Sequence, residues 1–392
     1  MARHTSPAAG VSPRRKNSKA NNKANKDQKS VDAPDTITNS PNKNMQSNSN
    51  APPVNPNAHT ILAPPLTNIP WMVKNPLSLL MEIVLIFFMY LVTLYFKCLR
   101  VILPKLEKPV NGKVVLITGT GRGLGRELAL KFALLGAKVA CVDADQNSNE
   151  ETVKLITTKI QGSTVKAYTV NVAATAEVTA LAVKVEQDLG PVDILINNAT
   201  VMVAHTFLGE QDHTIASTLN INLLGSFWMI RTFLPGMMKR NSGHIVAISS
   251  ASSLCSLSKL SAYSASKWGL NGMMESLREE LREHSNNKIN TTVVMPIFIN
   301  TSADYTKYIN SRMPVLSLKH ATEATIHGIL TDEVEFTIPR VVYFTNLLKR
   351  LLPINISDSI KNIFYTKIIL PPQEIQSIDP SRTIINKTNV AY

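Results

Sequence analysis

Cysteine is scarce in this chain of 392 residues: Cys98, Cys141 and Cys255 stand far apart. Three isolated cysteines exclude a disulfide framework and a zinc site, so no metal is expected, and they fit a reducing compartment. Cys141 and Cys255 read as small buried apolar residues. Aromatic residues make up only 6% and do not interleave with a basic patch. The net charge of +13 therefore does not point to nucleic acid. Much of that charge is local, because residues 1–76 hold ten Lys or Arg against three acids, or +7 of the +13. A basic surface of this kind suits anionic lipid headgroups. Large apolar residues are nearly missing from residues 1–70, which are rich in Asn, Ser, Pro and Lys. Such a segment buries too little to offset its ordering entropy, so a disordered tail is expected. It also lacks the charged start and apolar run of a signal peptide. Internal repeats are absent.

A long apolar run does occur at residues 77–96, LSLLMEIVLIFFMYLVTLYF, with Glu82 as its single charge. Twenty residues at helical rise match a bilayer core of roughly 30 Å. A membrane-anchor helix is expected, with membrane lipid as its partner. Lys74 precedes it and Lys97 and Arg100 follow, so spanning, hairpin and in-plane forms stay open.

From residue 110 onward short apolar runs alternate with helical patterns. The runs are 113–118, 138–142, 165–170, 192–196, 244–249 and 289–295. This alternation predicts an α/β fold: a doubly wound parallel sheet of about seven strands, with helices on both faces. The catalytic domain is placed at 110–320 and a C-terminal extension at 321–392.

The first run opens into Thr118-Gly119-Thr120-Gly121-Arg122-Gly123-Leu124-Gly125. Glycines after a strand and before a helix let the backbone turn tightly against a pyrophosphate at the helix N-terminus. Asp143 ends the next run, where a carboxylate binds adenosine ribose hydroxyls. Asn197-Asn198-Ala199, Asn222-Leu223-Leu224-Gly225 and Ser249-Ser250 follow at strand ends or helix starts. Tyr263 and Lys267 lie four residues apart, on one helix face. An ammonium there lowers a tyrosine pKa and makes the phenol an acid/base, while a serine hydroxyl orients the substrate oxygen. Taken singly, a Tyr–Lys pair is also an ordinary solvated face.

Together these motifs resemble the short-chain dehydrogenase/reductase family over roughly residues 110–300. The resemblance implies a Rossmann-type domain and a catalytic set of Asn222, Ser250, Tyr263 and Lys267. Asn222 would hold a water in a proton relay to Lys267. It implies that Gly119, Arg122, Gly123, Leu124, Gly125, Asp143, Asn171, Val172, Asn198, Ala199, Pro296 and Thr301, with Tyr263 and Lys267, bind NAD or NADP. Asp143 repels a 2′-phosphate and favours NAD, whereas Arg122 could pair with that phosphate. Three positions depart from the family pattern. Thr200 replaces a glycine and is expected to weaken cofactor binding, Asn171 stands for an aspartate, and Ile297 follows Pro296 in place of glycine.

The run at 77–96 and the tail segments 329–332, 338–340 and 351–353 resemble the membrane-bound branch of retinol and 17-beta-hydroxysteroid dehydrogenases. That implies a lipophilic alcohol or ketone substrate, retinol before hydroxysteroids, and long-chain fatty alcohols as a further class. It also implies a homodimer, and an endoplasmic reticulum or lipid-droplet location with a cytosolic catalytic domain. Cofactor supply and the sequon Asn198-Ala199-Thr200 inside the glycine-loop site favour that side. The loop 301–318 is expected to line the substrate pocket through Tyr305, Tyr308, Ile309, Met313, Val315 and Leu316. Residues 341–352, VVYFTNLLKRLL, read as a helix near the membrane at the substrate entrance, or as a core or dimer helix. A non-enzymatic membrane scaffold with a vestigial fold is the alternative of another class.

Overall fold

The structure, a computed structural model, describes residues 76–102, 105–301, 309–312, 315–363 and 366–369. The chain divides into two compact units, Met1–Ile83 and Val84–Tyr392. Helix α1 runs Pro76–Ile102 and contains the 77–96 run. Its apolar side chains from Leu79 to Val92, and Tyr95, are exposed. Among the described residues, no helix is long and apolar enough to cross a membrane. Some side chains of α1, including those at 76–78 and 96–102, lie outside the described set.

The catalytic unit alternates strand and helix: β1 (Val114–Thr118), α2 (Gly123–Leu134), β2 (Lys138–Asp143), α3 (Gln146–Lys159), β3 (Val165–Thr169), α4 (Thr175–Asp188) and β4 (Ile194–Asn197). Then come α5 (Asp212–Leu219), a π-helical turn (Asn220–Leu224), α6 (Gly225–Arg240), β5 (Gly243–Ile248), α7 (Ser261–Arg282) and β6 (Ile289–Pro296). Short strands β7 (Ile299–Asn300), β8 (Ile309–Ser311) and β9 (Leu316–Ser317) lead to α8 (Leu318–Leu330), β10 (Glu335–Ile338), α9 (Val341–Arg350), α10 (Ile354–Ile363) and β11 (Thr366–Ile368).

Seven parallel strands form one sheet in the order β3-β2-β1-β4-β5-β6-β10. Six are the runs read from the sequence. The seventh, β10, lies past residue 320, in the segment assigned to the extension. Its four residues, Glu-Phe-Thr-Ile, carry too short a pattern to stand out, and pairing with β6 makes it a strand.

Alternate residues of each strand feed opposite cores. Leu116, Val142, Leu195 and Ile245 pack under α4, α6 and α7, whereas Ile117, Cys141, Ile196 and Val246 pack under α2, α3 and α8. Each such large side chain contributes roughly 1.5–3 kcal/mol by leaving water. The strand order reverses between β1 and β4, and the crevice above this switch point is where doubly wound sheets bind ligands. Toward the opposite end of the strands, Lys108 Nζ donates to His244 Nδ1 at 2.7 Å and pairs with Asp332 at 2.5 Å. Burial first, and then Lys108, pushes the His244 imidazole down to about 3, so it is neutral and its Nε2–H faces Thr292 Oγ1 at 2.8 Å.

Candidate active site

Strand β1 ends in a loop whose shape only glycine allows. Gly119 and Gly123 have φ of +73° and +56°, a backbone that other L residues rarely adopt. A Cβ on Gly125 would fall 2.0 Å from the Gly119 carbonyl oxygen, and one on Gly119 would fall 2.9 Å from Ala199 Cα. The β4 end is stitched to this loop. Thr118 Oγ1 accepts from the amides of Asn198 and Ala199 at 2.9 and 3.0 Å. Asn198 Nδ2 donates to the carbonyls of Thr118 and Gly119 at 2.8 and 3.1 Å. Both N–H donors of that sequon asparagine are therefore taken within the loop.

Arg122 precedes α2 without a side-chain cap, so first-turn amides stay available to an anion. Asp143 Oδ2 accepts from Gly121 N at 2.7 Å and Oδ1 from Asp145 N at 2.9 Å, which holds the carboxylate at the loop. The glycine cradle, the uncapped helix and the fixed carboxylate together fit a dinucleotide.

Tyr263 and Lys267 project from the first two turns of α7, and Ser250 stands where β5 ends. All three are buried and line one cleft. Lys267 Nζ lies 5.7 Å from the Tyr263 ring centroid. It donates to Thr200 Oγ1 at 2.7 Å and to the Ile248 carbonyl at 2.9 Å. Burial pushes the Tyr263 phenol above its ordinary value, with Ser250 opposing, and lowers the Lys267 ammonium to about 7. The expected lowering of Tyr263 by Lys267 is thus not seen in this arrangement, where burial sets the direction and only Ser250 opposes it.

Asn222 differs more from expectation. It sits in the π-helical turn, 1% exposed, and stays off the cleft lining. Its Nδ2 donates to Val201 O at 2.9 Å and Ser266 Oγ at 3.1 Å, while Oδ1 accepts from Val201 N at 2.8 Å. Both its N–H donors are taken, and the side chain clamps the backbone after β4. Gly225, three residues on, lets Val172 close in: a Cβ there would fall 2.8 Å from Val172 Cγ2.

The other residues read from the sequence (Gly119, Arg122, Gly123, Leu124, Gly125, Asp143, Asn171, Val172, Asn198, Ala199, Pro296 and Thr301) all line the cleft, whose volume is about 1350 Å³. The helix read at 341–352 also walls the cleft, as expected, whereas the other walls were not legible. Met202, Leu254, Leu257 and Phe298 form one side, and Val341, Thr345, Asn346 and Lys349 of α9, with Thr366 and Lys367 of β11, form another. β11 pairs antiparallel with β8, and Ile368 packs against Leu260 and Tyr263. Of the expected pocket loop, Val315 lines the cleft, Leu316 is in the core, and positions 305, 308 and 313 lie outside the described residues. Cys141 is buried as expected, which pushes its thiol up to about 12. Cys255 differs: it is only partly buried, lines the cleft and accepts from Lys349 Nζ at 3.2 Å, because the C-terminal α9 folds back over it.

The chain resembles known proteins in these same regions. Human epidermal retinol dehydrogenase 2 is 37% identical over 256 residues, 64% of this chain and 82% of that protein. Human estradiol 17-beta-dehydrogenase 11 is 34% identical over 278 residues, 71% of this chain and 91% of that protein. A metagenomic short-chain oxidoreductase solved in complex with NADP superposes with a TM-score of 0.50 at 25% identity, over 59% of this chain and 98% of its own. The family model for short chain dehydrogenase matches residues 113–311, from the glycine-loop strand through Tyr263 and Lys267. With the parallel sheet and the glycine cradle already described, these matches mean that the chain belongs to the short-chain dehydrogenase family of oxidoreductases.

Proposed function

We propose that this enzyme interconverts a lipophilic alcohol and its carbonyl compound, with retinol and retinal first and 17-beta-hydroxysteroids second. The observation that carries this reading is the convergence of Ser250, Tyr263 and Lys267 in a large cleft walled on one side by Met202, Leu254, Leu257 and Phe298. When bound, the nicotinamide supplies the hydride chemistry. Tyr263, as phenolate, takes the alcohol proton at its Oη, and Ser250 orients the substrate oxygen beside it. Lys267 holds the nicotinamide ribose and stabilises the phenolate through its charge. Asn222 acts as a positioning residue, through its clamp on Val201.

NAD(H) is the favoured cofactor, because the Asp143 carboxylate is held at the loop where a 2′-phosphate would come. Arg122 is exposed and offers the competing attraction. Comparing kcat/KM for the two cofactors tests this, and a preference of about tenfold for NADP would overturn it.

The exposed apolar run of α1 supports a membrane anchor. Phe344, Leu347, Leu348 and Leu351, exposed on or just after α9, support a second lipid contact beside the cleft. The location is the endoplasmic reticulum membrane or a lipid droplet, with the catalytic unit cytosolic and dimeric. The test is a panel assay in microsomes carrying the full chain, with both cofactors and retinol, hydroxysteroids and long-chain alcohols. Turnover of retinol above the rest is expected. Preference for small water-soluble alcohols would sink the lipophilic reading.

A further inference from the structure

We propose that the Thr200 hydroxyl is a positioning partner of Lys267 that fixes the ammonium in the cleft wall, a role that rests on the dehydrogenase reading above. Most of the segment after β4 has no freedom. Asn198 and Ala199 are tied to Thr118, and Val201 is tied through both its N–H and its C=O to Asn222. Thr200 stands between these pins, so the place of its Cα is held. It places Oγ1 2.7 Å from Lys267 Nζ. A β-branched side chain keeps that direction, because few χ1 rotamers are open to it.

An ammonium has three N–H donors. Thr200 and the Ile248 carbonyl take two, at 2.7 and 2.9 Å, which leaves one for the cleft. Lys267 is 2% exposed, whereas Thr200 is exposed and lines the cleft. The threonine hydroxyl thus gives a buried cation a fixed acceptor that a glycine at this position could not supply.

An acceptor on the charged form favours that form. Among the titratable and charged groups facing this region, the Tyr263 ring lies 5.7 Å away, and Asp143, Arg122, Cys255, Lys349 and Lys367 line other parts of the cleft. Burial alone accounts for the lowering of Lys267 to about 7, so its charge is lost near neutral pH. Removing the Thr200 acceptor moves that loss to lower pH.

The test is the pH dependence of NADH and NADPH binding to the full chain, followed by cofactor fluorescence, for wild type, Thr200→Val and Thr200→Ser. Valine keeps the shape and removes the acceptor. For Thr200→Val, affinity is expected to fall off about half to one pH unit earlier than in wild type, the size of one hydrogen bond. Thr200→Ser restores the wild-type profile. Superposable wild-type and Thr200→Val profiles would overturn the proposal while leaving the dehydrogenase reading intact. A shift that serine does not restore would assign the effect to packing and overturn it as well. Wild type binding neither cofactor would overturn both readings.

Discussion

On the glycine-loop side of the cleft, neighbouring strand ends are tied by short hydrogen bonds. Thr118 receives two amides, Asn198 reaches two carbonyls, and Asp143 holds Gly121. On the far side the walls are side chains from residues 202, 254–257, 298, α9 and β11, brought together from across the sequence. They are tied as well, by Lys349 Nζ to Cys255 Sγ at 3.2 Å, by the pairing of β11 with β8 and by Lys259 Nζ to the Ile368 carbonyl at 2.7 Å. These ties join side chains and a C-terminal strand rather than neighbouring strand ends of the main sheet. The first side is a backbone device, in which an added Cβ meets main chain. The second is a packing device, in which a changed side chain leaves a gap that neighbours can partly fill. One side can therefore stay constant in what it binds while the other is free to set the substrate.

The largest effect should come where the two sides meet. Tyr263→Phe is expected to lower kcat about a thousandfold while the cofactor Kd moves less than about threefold. Activity above about a tenth of wild type would remove Tyr263 from the acid/base role. Next comes Gly125→Ala, whose Cβ would fall 2.0 Å from the Gly119 carbonyl oxygen. The backbone must shift at a cost of about 1–3 kcal/mol, and cofactor affinity should fall by about a hundredfold, measured by titration. Leu257→Ala on the other side should change KM by less than about tenfold and leave cofactor affinity alone. Equal cofactor effects from the two would break the contrast.

Ile368→Ala sharpens it. Ile368 is buried against Leu260 and Tyr263 from a C-terminal strand. Denaturant titration should show a loss of about 2 kcal/mol. KM for lipophilic alcohols should rise severalfold, with cofactor affinity unchanged. A matching loss of cofactor binding would mean that the strap serves both sides.

The smallest effect concerns Lys267, held at about 7 against 10.5 for free lysine. Between these values the unfolded chain binds the extra proton, so wild-type stability rises with pH across that window. Lys267→Met has no such term. Its melting temperature relative to wild type should be highest at and below pH 7 and should decline by about 3 °C for each pH unit above it. A difference independent of pH would show that burial does not hold Lys267 down.

The glycine loop, Asp143 and the Tyr263–Lys267 pair were legible in the sequence because their constraints are local. Positive φ, a strand end and a four-residue helical spacing are properties of a few consecutive residues. Six of the seven sheet strands were legible for the same reason, as short apolar runs between helical patterns. The seventh strand, the wall supplied by β11, the clamp of Asn222 on Val201 and the contact of Thr200 with Lys267 were decided by tertiary structure. Each joins residues whose nearness follows only from the winding of the sheet. The protonation of Tyr263 and Lys267 belongs with them, since the sequence supplies the spacing of the pair but burial sets how readily each takes a charge.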